Sequence, residues 1–531
     1  MIASTRQLRF LSLVFSLALS ATHLSAQQYD VLIRGGKIFD GTGTPWRYAD
    51  VAVKGDRIAA VGPIPATATA DRMIDARDKW VTPGFIDPHS HAAPGLATAT
   101  TAAAAALLYQ GITSALINAD GGGPADLAPQ LDRIQRLVPG VNVVPTIGNN
   151  GVRIAVMGYE GRPPTEDELA AMKKLVRQAM ELGAFGLNSG LWAAPGPFTT
   201  THELTELARV AAGFSGAFYI SHIRDEGDYN IGLHAAVSEV IAIARAANLP
   251  GIVTHIKAYG PSVHGKAGEI VKLIDEARAQ GVQVWADQYP YNFAGGGLAN
   301  DLLEPWVVAG GFGPRVARLS DPEQLPGIRR EIRVNLHRAG GADNIVIRDY
   351  PREPSLIGQR LSAIALARGQ EPVDLIVDLL KKGDAGMMQF NMMEPDVERF
   401  MQQPWTMTST DGTLPEFGRG GAHPRSYGSF VRKLRKYAID KPVLTLEQAI
   451  HRSSGLTATV LGIQDRGFLR AGAYADVLVI NPSTLREQAT YIQPHAYCEG
   501  IDWVLVNGRT AIADGKLTDQ RHGRVLRRHQ Q

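Results

Sequence analysis

Hydrophobic and polar positions follow two rhythms along this chain. At both ends, short β-branched runs are separated by Gly-rich turns: YDVLIRGGKIFDGTG and ADVAVKGDRIAAVG near the start, ADVLVINP and GIDWVLVNGRTAIADGK near the finish. Both stretches read as antiparallel strands, with Asn507-Gly508 as a hairpin turn. Neither is long enough to build a good core alone. The pattern therefore predicts that residues 27–82 and 465–531 pack together as one small β-sandwich. Between them, apolar strand-like runs alternate with helical patterns. The runs are WVTPGFIDPHSH, GITSALINAD, VNVVPTIGNN, AFGLNSGL, GAFYISHIRDE, GIVTHIKAYG, VQVWADQYPY and WTMTSTDG. Thr165 with Glu168 and Thr200 with Glu203 fit capping boxes, and Gly183 fits a helix end. Eight β–α repeats with continuous apolar strands predict an α/β fold, a (β/α)8 TIM barrel over residues 83–464. One connection, about 300–404 between strands seven and eight, is far beyond an ordinary βα loop. It predicts an inserted subdomain over the C-terminal mouth of the barrel, placed where it can act as a lid.

A length of 531 residues suits one large domain with additions, or two to three domains. With 45% hydrophobic and 20% charged residues, the composition is that of an ordinary soluble enzyme. Lys+Arg 54 against Asp+Glu 52 gives +2, so no field favours nucleic acid or an acidic membrane. The one local charge run, RHGRVLRRHQQ at the C-terminus, reads as a solvated tail. Near the N-terminus, Arg6 and Arg9 precede FLSLVFSLALSA, and small residues follow in LSAQQ. That is a signal peptide over residues 1–26, cleaved after Ala26, with an apolar run too short to span a bilayer comfortably. Cys498 is the only cysteine, so no intrachain disulfide forms and no lipid-accepting cysteine follows the signal. The expectation is an exported, periplasmic protein with no stable membrane insertion once the signal is removed.

Candidate chemistry collects at the strand ends. His89 and His91 close the first strand, and at period two their side chains point the same way. Alone, such a pair is weak evidence. Strand two ends with Asp120, strand five with His222, strand six with His255 and strand eight with Asp411. Four histidines and two carboxylates then converge on one rim and predict a metal site. Nitrogen and oxygen donors of this kind suit zinc (Zn2+) best, with manganese, iron or cobalt as alternatives. For Asp120, the competing reading is a cap for the segment that follows. Arg425 in HPRSYG offers a bidentate fork for a substrate carboxylate, Lys257 follows ligand His255 by two residues, and Tyr289 adds a hydroxyl. The alternatives are a structural ion pair for Arg425, a solvated loop cation for Lys257 and core packing for Tyr289. His202 and His234 sit in helix patterns, His264 lies in a loop, and His423 stands beside Arg425.

The marks PGFIDPHSH, GRPPTEDELAAM, GAFGLNSGL, SHIRDEGD, THIKAYG, ADQYPY, STDG and HPRSYGSF, with the closing ADVLVINP and VNG, run over nearly the whole mature chain. By them the sequence resembles the amidohydrolase superfamily, and within it the N-acyl-D-amino-acid deacylase (D-aminoacylase) family. The resemblance implies a metal-bearing barrel plus a small β-sandwich, and hydrolysis of the amide of N-acyl-D-amino acids. It implies that His89, His91 and Asp411 hold a weakly bound ion, that His222 and His255 hold a tight one, and that Lys257, Tyr289 and Arg425 bind the substrate carboxylate. Metal-activated hydroxide would attack the carbonyl while Asp411 accepts the proton and passes it to the leaving amine. One or two ions, and a small N-acyl amino acid as substrate, follow from the same resemblance.

Three departures stand out. Asp120 occupies the place of a family cysteine; it is a harder ligand, its second oxygen can bridge two ions, and it cannot oxidise. Ala193, preceded by Trp192, replaces a pocket tyrosine and predicts a roomier or reshaped pocket. Asn149 replaces a histidine after strand three. No lysine ends strand four, in LNSGL, so a bridging carboxylated lysine is not expected. Two other readings remain open at this point: a different amidohydrolase reaction, such as a dipeptidase or cyclic-amide hydrolase, and a metal-binding protein without catalysis.

Overall fold

The computed structural model describes residues 28–528. The signal-peptide segment, 1–26, lies outside the described residues. Eight strand positions form the barrel: Phe85–Asp87, Ile112–Ile117, Asn142–Pro145 continued by Ile147–Gly148, Gly186–Gly190, Phe218–His222, Gly251–Val253, Val284–Gln288 and Thr406–Thr408. Every hydrogen-bonded pair in this series is parallel. Ile112–Ile117 is buried at all six positions, the both-faces burial that a parallel strand under helices requires. Strands eight and one close the ring through their ends. The Asp411 amide donates to the His89 carbonyl (2.9 Å), and the His91 amide to that of Gly412 (2.8 Å).

Around the ring, the helix over Glu166–Leu182 opens on the Thr165/Glu168 capping box and stops at Gly183, whose φ of 108° suits glycine. Thr200 caps Thr201–Ala212, but only its half of the box forms. The Glu203 carboxylate turns instead to Arg153 (2.6 Å) in a buried ion pair, a stronger partner than a backbone amide.

Inside the barrel, Ile86, Leu116, Val144, Phe185, Phe218, Ile220, Ile252 and Met407 form one apolar cluster. The basic tail joins it. Leu526 is buried in this cluster, its amide bonds the Val143 carbonyl, and Arg527 and Arg528 bond the carbonyls of Leu182 and Ser215. The expectation of a solvated tail is thus corrected. Its arginines satisfy carbonyls at the ends of neighbouring elements, and Leu526 takes the apolar place at the barrel floor.

The chain ends meet in one nine-stranded sheet, joined where Trp80–Pro83 runs antiparallel to Val477–Ile480. Val31, Ile33, Val51, Val53, Val477 and Leu505 pack together in its core. Asn507 (φ 50°) and Gly508 (φ 74°) make the expected turn, where positive φ at both positions is required. Between strands seven and eight, Ala294–Gly297, Gly386–Gln389 and Ile345–Asp349 form a separate three-stranded antiparallel sheet. Helices such as Leu325–Arg338 and Pro372–Lys382 cover it around a core of their own, with Leu302, Ile332 and Leu379 at its centre. One edge of this insertion faces the C-terminal mouth of the barrel.

Candidate metal centre

The six side chains expected at the rim do meet. His89, His91, Asp120 and Asp411 form one group, and Asp120, His222 and His255 a second, with donor atoms in each group within 4.8 Å of one another. Asp120 belongs to both. Its oxygens lie 3.3 Å from His89 Nε2, 3.2 Å from His91 Nε2, 3.5 Å from His222 Nδ1 and 3.7 Å from His255 Nε2. The amide of Gly122, one that a capping Asp120 would serve, goes to the Ala119 carbonyl instead (2.9 Å). Asp411 Oδ1 lies 3.2 Å from His91 Nε2 and 3.5 Å from His89 Nε2.

Local backbone and hydrogen bonds hold this arrangement. Asp120 (φ 55°), His255 (φ 35°) and Asp411 (φ 48°) all adopt left-handed backbone, which costs about 1–3 kcal/mol each and gathers at functional sites. Buried Asp87 accepts from the His89 and Thr410 amides and the Thr410 hydroxyl, tying the first strand end to the last. The Thr254 hydroxyl donates to Asp287 (2.7 Å), so at 2.6 Å it accepts from His89 Nδ1. The proton therefore sits on Nδ1 and the Nε2 lone pair of His89 faces the cluster.

The residues fit a metal ion. His89 Nε2 and Asp120 Oδ1 are buried without any hydrogen-bond partner and face each other across the cluster at 3.3 Å. Buried polar atoms are otherwise almost always paired, so two orphans facing each other in one cluster point to a shared cation. Electrostatics agree. Burial opposes charge on His89 and His91, yet Asp120 and Asp411 hold both imidazoles above their ordinary value, His91 at about 9. Burial alone would raise the Asp411 carboxyl, but Arg425 and the histidines hold it well below the usual carboxylate range. The cluster thus favours positive charge at its centre.

Beside it opens a cavity of about 310 Å3, room for a small ligand. Lys257, Tyr289 and Arg425 all line it. Lys257 is buried, not a solvated loop cation: its Nζ lies 2.5 Å from Glu226 Oε1 and 2.7 Å from His255 Nδ1. Arg425 does form an ion pair, with Asp411 Oδ2 at 2.6 Å, while its Nε is left without a partner. Tyr289 is buried under that guanidinium, which stands 4.8 Å from its ring centre.

Trp192 and Ala193 also line the cavity, as the altered motif implied. The Trp192 indole donates to Asp301 Oδ1 (3.0 Å) and stands edge-on to Tyr229, so an aromatic wall fills part of the space. Asn149 is a buried packing residue bonded to Thr199, away from the cavity lining. His264 bonds the Asn391 carbonyl, and His423 bonds the Phe293 carbonyl and the Arg425 amide.

Sequence reasoning did not single out Thr254, Glu226, Asp287 or Asp301. The first three stand inside the motifs THIK, SHIRDE and ADQYPY, beside assigned residues. That adjacency was the available signal, but the bonding partners come from other strands.

No family model matches the chain. It is 35% identical to the N-acyl-D-glutamate deacylase of Alcaligenes xylosoxydans xylosoxydans, over 94% of this chain and 97% of that one. It is 33% identical to the D-aminoacylase of the same organism, over 95% and 98%. Among solved structures, the N-acyl-D-glutamate deacylase of Bordetella bronchiseptica, complexed with zinc and a phosphonate mimic of the tetrahedral intermediate, superposes with a TM-score of 0.78. That pair is 34% identical, covering 94% of this chain and all of that one. Barrel, strand-end cluster and full-length similarity agree, and the chain belongs to the D-aminoacylase family of amidohydrolases.

Proposed function

We propose that the protein hydrolyses the amide bond of N-acyl-D-amino acids, releasing a carboxylate and a free D-amino acid, with zinc as cofactor. The carrying observation is the position of Asp411. One carboxylate oxygen faces His89 and His91, and the other binds Arg425 in the cavity wall. The metal cluster and the carboxylate-binding wall therefore share one residue.

His89, His91, Asp120, His222, His255 and Asp411 would hold one or two ions. A divalent ion bound there supplies polarisation of the scissile carbonyl and acidification of water. Asp411, as a carboxylate, accepts the proton of the attacking water and delivers it to the departing nitrogen, without which an amine leaves poorly. Lys257, Tyr289 and Arg425 orient the α-carboxylate of the substrate, Arg425 with its fork and unpaired Nε. Glu226 holds Lys257 against His255, fixing both. Export to the periplasm rests on the signal pattern over residues 1–26.

The test uses purified protein of measured metal content. It is assayed with N-acetyl amino acids in matched D and L forms and with dipeptides. Turnover of the D forms is expected. No hydrolysis of any D-acyl compound by metal-loaded protein would overturn the assignment.

A further inference from the structure

The cavity holds a cation that the proposed reaction leaves unused. Arg348 lies on the inserted strand Ile345–Asp349, whose pairing with Gly386–Gln389 shifts register between Ile347 and Asp349. The extra residue of such a bulge is re-aimed out of the ladder. Here the side chain is aimed into the same cavity as Lys257, Tyr289 and Arg425. Two glycines on the neighbouring strands make the room. A Cβ at Gly386 would stand 2.8 Å from Arg348 Nη2, and one at Gly295 would stand 2.9 Å from Nη1. Any side chain at either position would fill the space that the guanidinium uses.

The other two cations of the cavity are matched. Lys257 has Glu226 and Arg425 has Asp411. Among the described residues, no carboxylate lies within the 4.0 Å of an ion pair with Arg348. Asp349, Asp411 and Asp301 act on it only from farther away, while burial and the neighbouring Arg425 charge disfavour its proton. Asp301 also lines the cavity, but its oxygens are taken by the Trp192 indole (3.0 Å) and the Tyr259 hydroxyl (3.2 Å). A part-buried guanidinium without a counter-ion is costly unless a ligand supplies one. Its planar fork matches a carboxylate.

We propose that Arg348 binds a second carboxylate of the substrate, beyond the α-carboxylate, so that the preferred substrates are N-acyl-D-amino acids with two carboxylates. The inference rests on the deacylase reading. The second carboxylate comes either from the amino-acid side chain, as in D-glutamate or D-aspartate, or from the acyl group, as in a succinyl derivative.

The test compares each acid with a neutral partner of similar size: N-acetyl-D-glutamate with N-acetyl-D-glutamine, N-acetyl-D-aspartate with N-acetyl-D-asparagine, and N-succinyl-D-leucine with N-butyryl-D-leucine. In the native protein one kind of acid should exceed its partner in kcat/KM by about ten- to a hundredfold, and which kind it is identifies the source. Arg348→Met should abolish that preference, mainly through KM, and leave the neutral substrates within about threefold. Arg348→Lys keeps the charge without the fork and should keep part of the preference. It serves, with the native comparison, if the methionine variant does not fold. Equal or better turnover of the neutral partners by the native protein sinks the proposal but leaves the deacylase reading standing. Equal losses on acid and neutral substrates in Arg348→Met also sink it, placing Arg348 on the α-carboxylate. Absence of turnover on every N-acyl-D-amino acid overturns the deacylase reading and this proposal together.

Discussion

Oδ1 of Asp120 lies 3.3 Å from Nε2 of His89, and neither buried atom has a hydrogen-bond partner. Two ligand-type atoms left unsatisfied against each other are costly for a fold unless a third partner sits between them. Asp120 also lies 3.2 Å from His91, 3.5 Å from His222 and 3.7 Å from His255, which makes it the residue common to both halves of the cluster.

Asp120→Ala should therefore remove tightly bound metal and lower kcat/KM by roughly a hundredfold or more. Asp120→Cys keeps an anionic ligand, though a softer one, and should retain zinc at the half formed with His222 and His255. Elemental analysis after dialysis reads both. Unchanged metal content in the alanine variant would return Asp120 to a structural role.

Asp411→Asn preserves shape but not proton acceptance. Turnover should fall by about 10²–10⁴ with the fold intact by circular dichroism. Near-native kcat in this variant would remove Asp411 from proton transfer.

Thr254→Val removes the hydroxyl that sets the His89 tautomer. Zinc affinity should weaken by about ten- to a hundredfold while secondary structure is unchanged. A zinc titration with a competing chelator measures this, and equal affinity would show that His89 is oriented by packing alone.

Burial raises the Asp301 carboxyl to about 6, against the pull of its bonds from Trp192 and Tyr259. An acid with a raised pKa in the fold stabilises least where it must ionise. Its contribution is complete below the unfolded value near 3.8 and is lost as pH rises through about 6. The rise corresponds to about 3 kcal/mol. Asp301→Asn cannot ionise, so its stability relative to the native protein should improve between pH 4 and pH 6. Urea unfolding at several pH values reads the difference, and parallel pH profiles would contradict it.

Much of the fold was legible because its signals are local. Each of the eight barrel strands carries its own apolar run, and Thr165 with Gly183 brackets a helix by capping chemistry alone. Where the reading failed, a distant partner had decided. Glu203 left its capping box for Arg153, and Leu526 in a basic tail found the barrel floor. Arg425 was read with an ion pair as its alternative role; the ion pair exists, but its partner is Asp411, inside the site.

By itself the sequence determined the residue types at the strand ends, since strand period and the strand-end positions of a barrel place His89, His91, Asp120, His222, His255 and Asp411 on one rim. Only the tertiary structure decided what they do there. Asp120 sits among four histidines because strands one, two, five and six curve around a common axis. His89 presents Nε2 because a hydroxyl from strand six meets its other nitrogen. Arg348 reaches the cavity because a bulge turns it and two glycines from other strands leave it room. Hydrogen bonds and ion pairs are set over a few ångströms, between residues that the chain separates by scores of positions, and only the folded barrel brings those distances together.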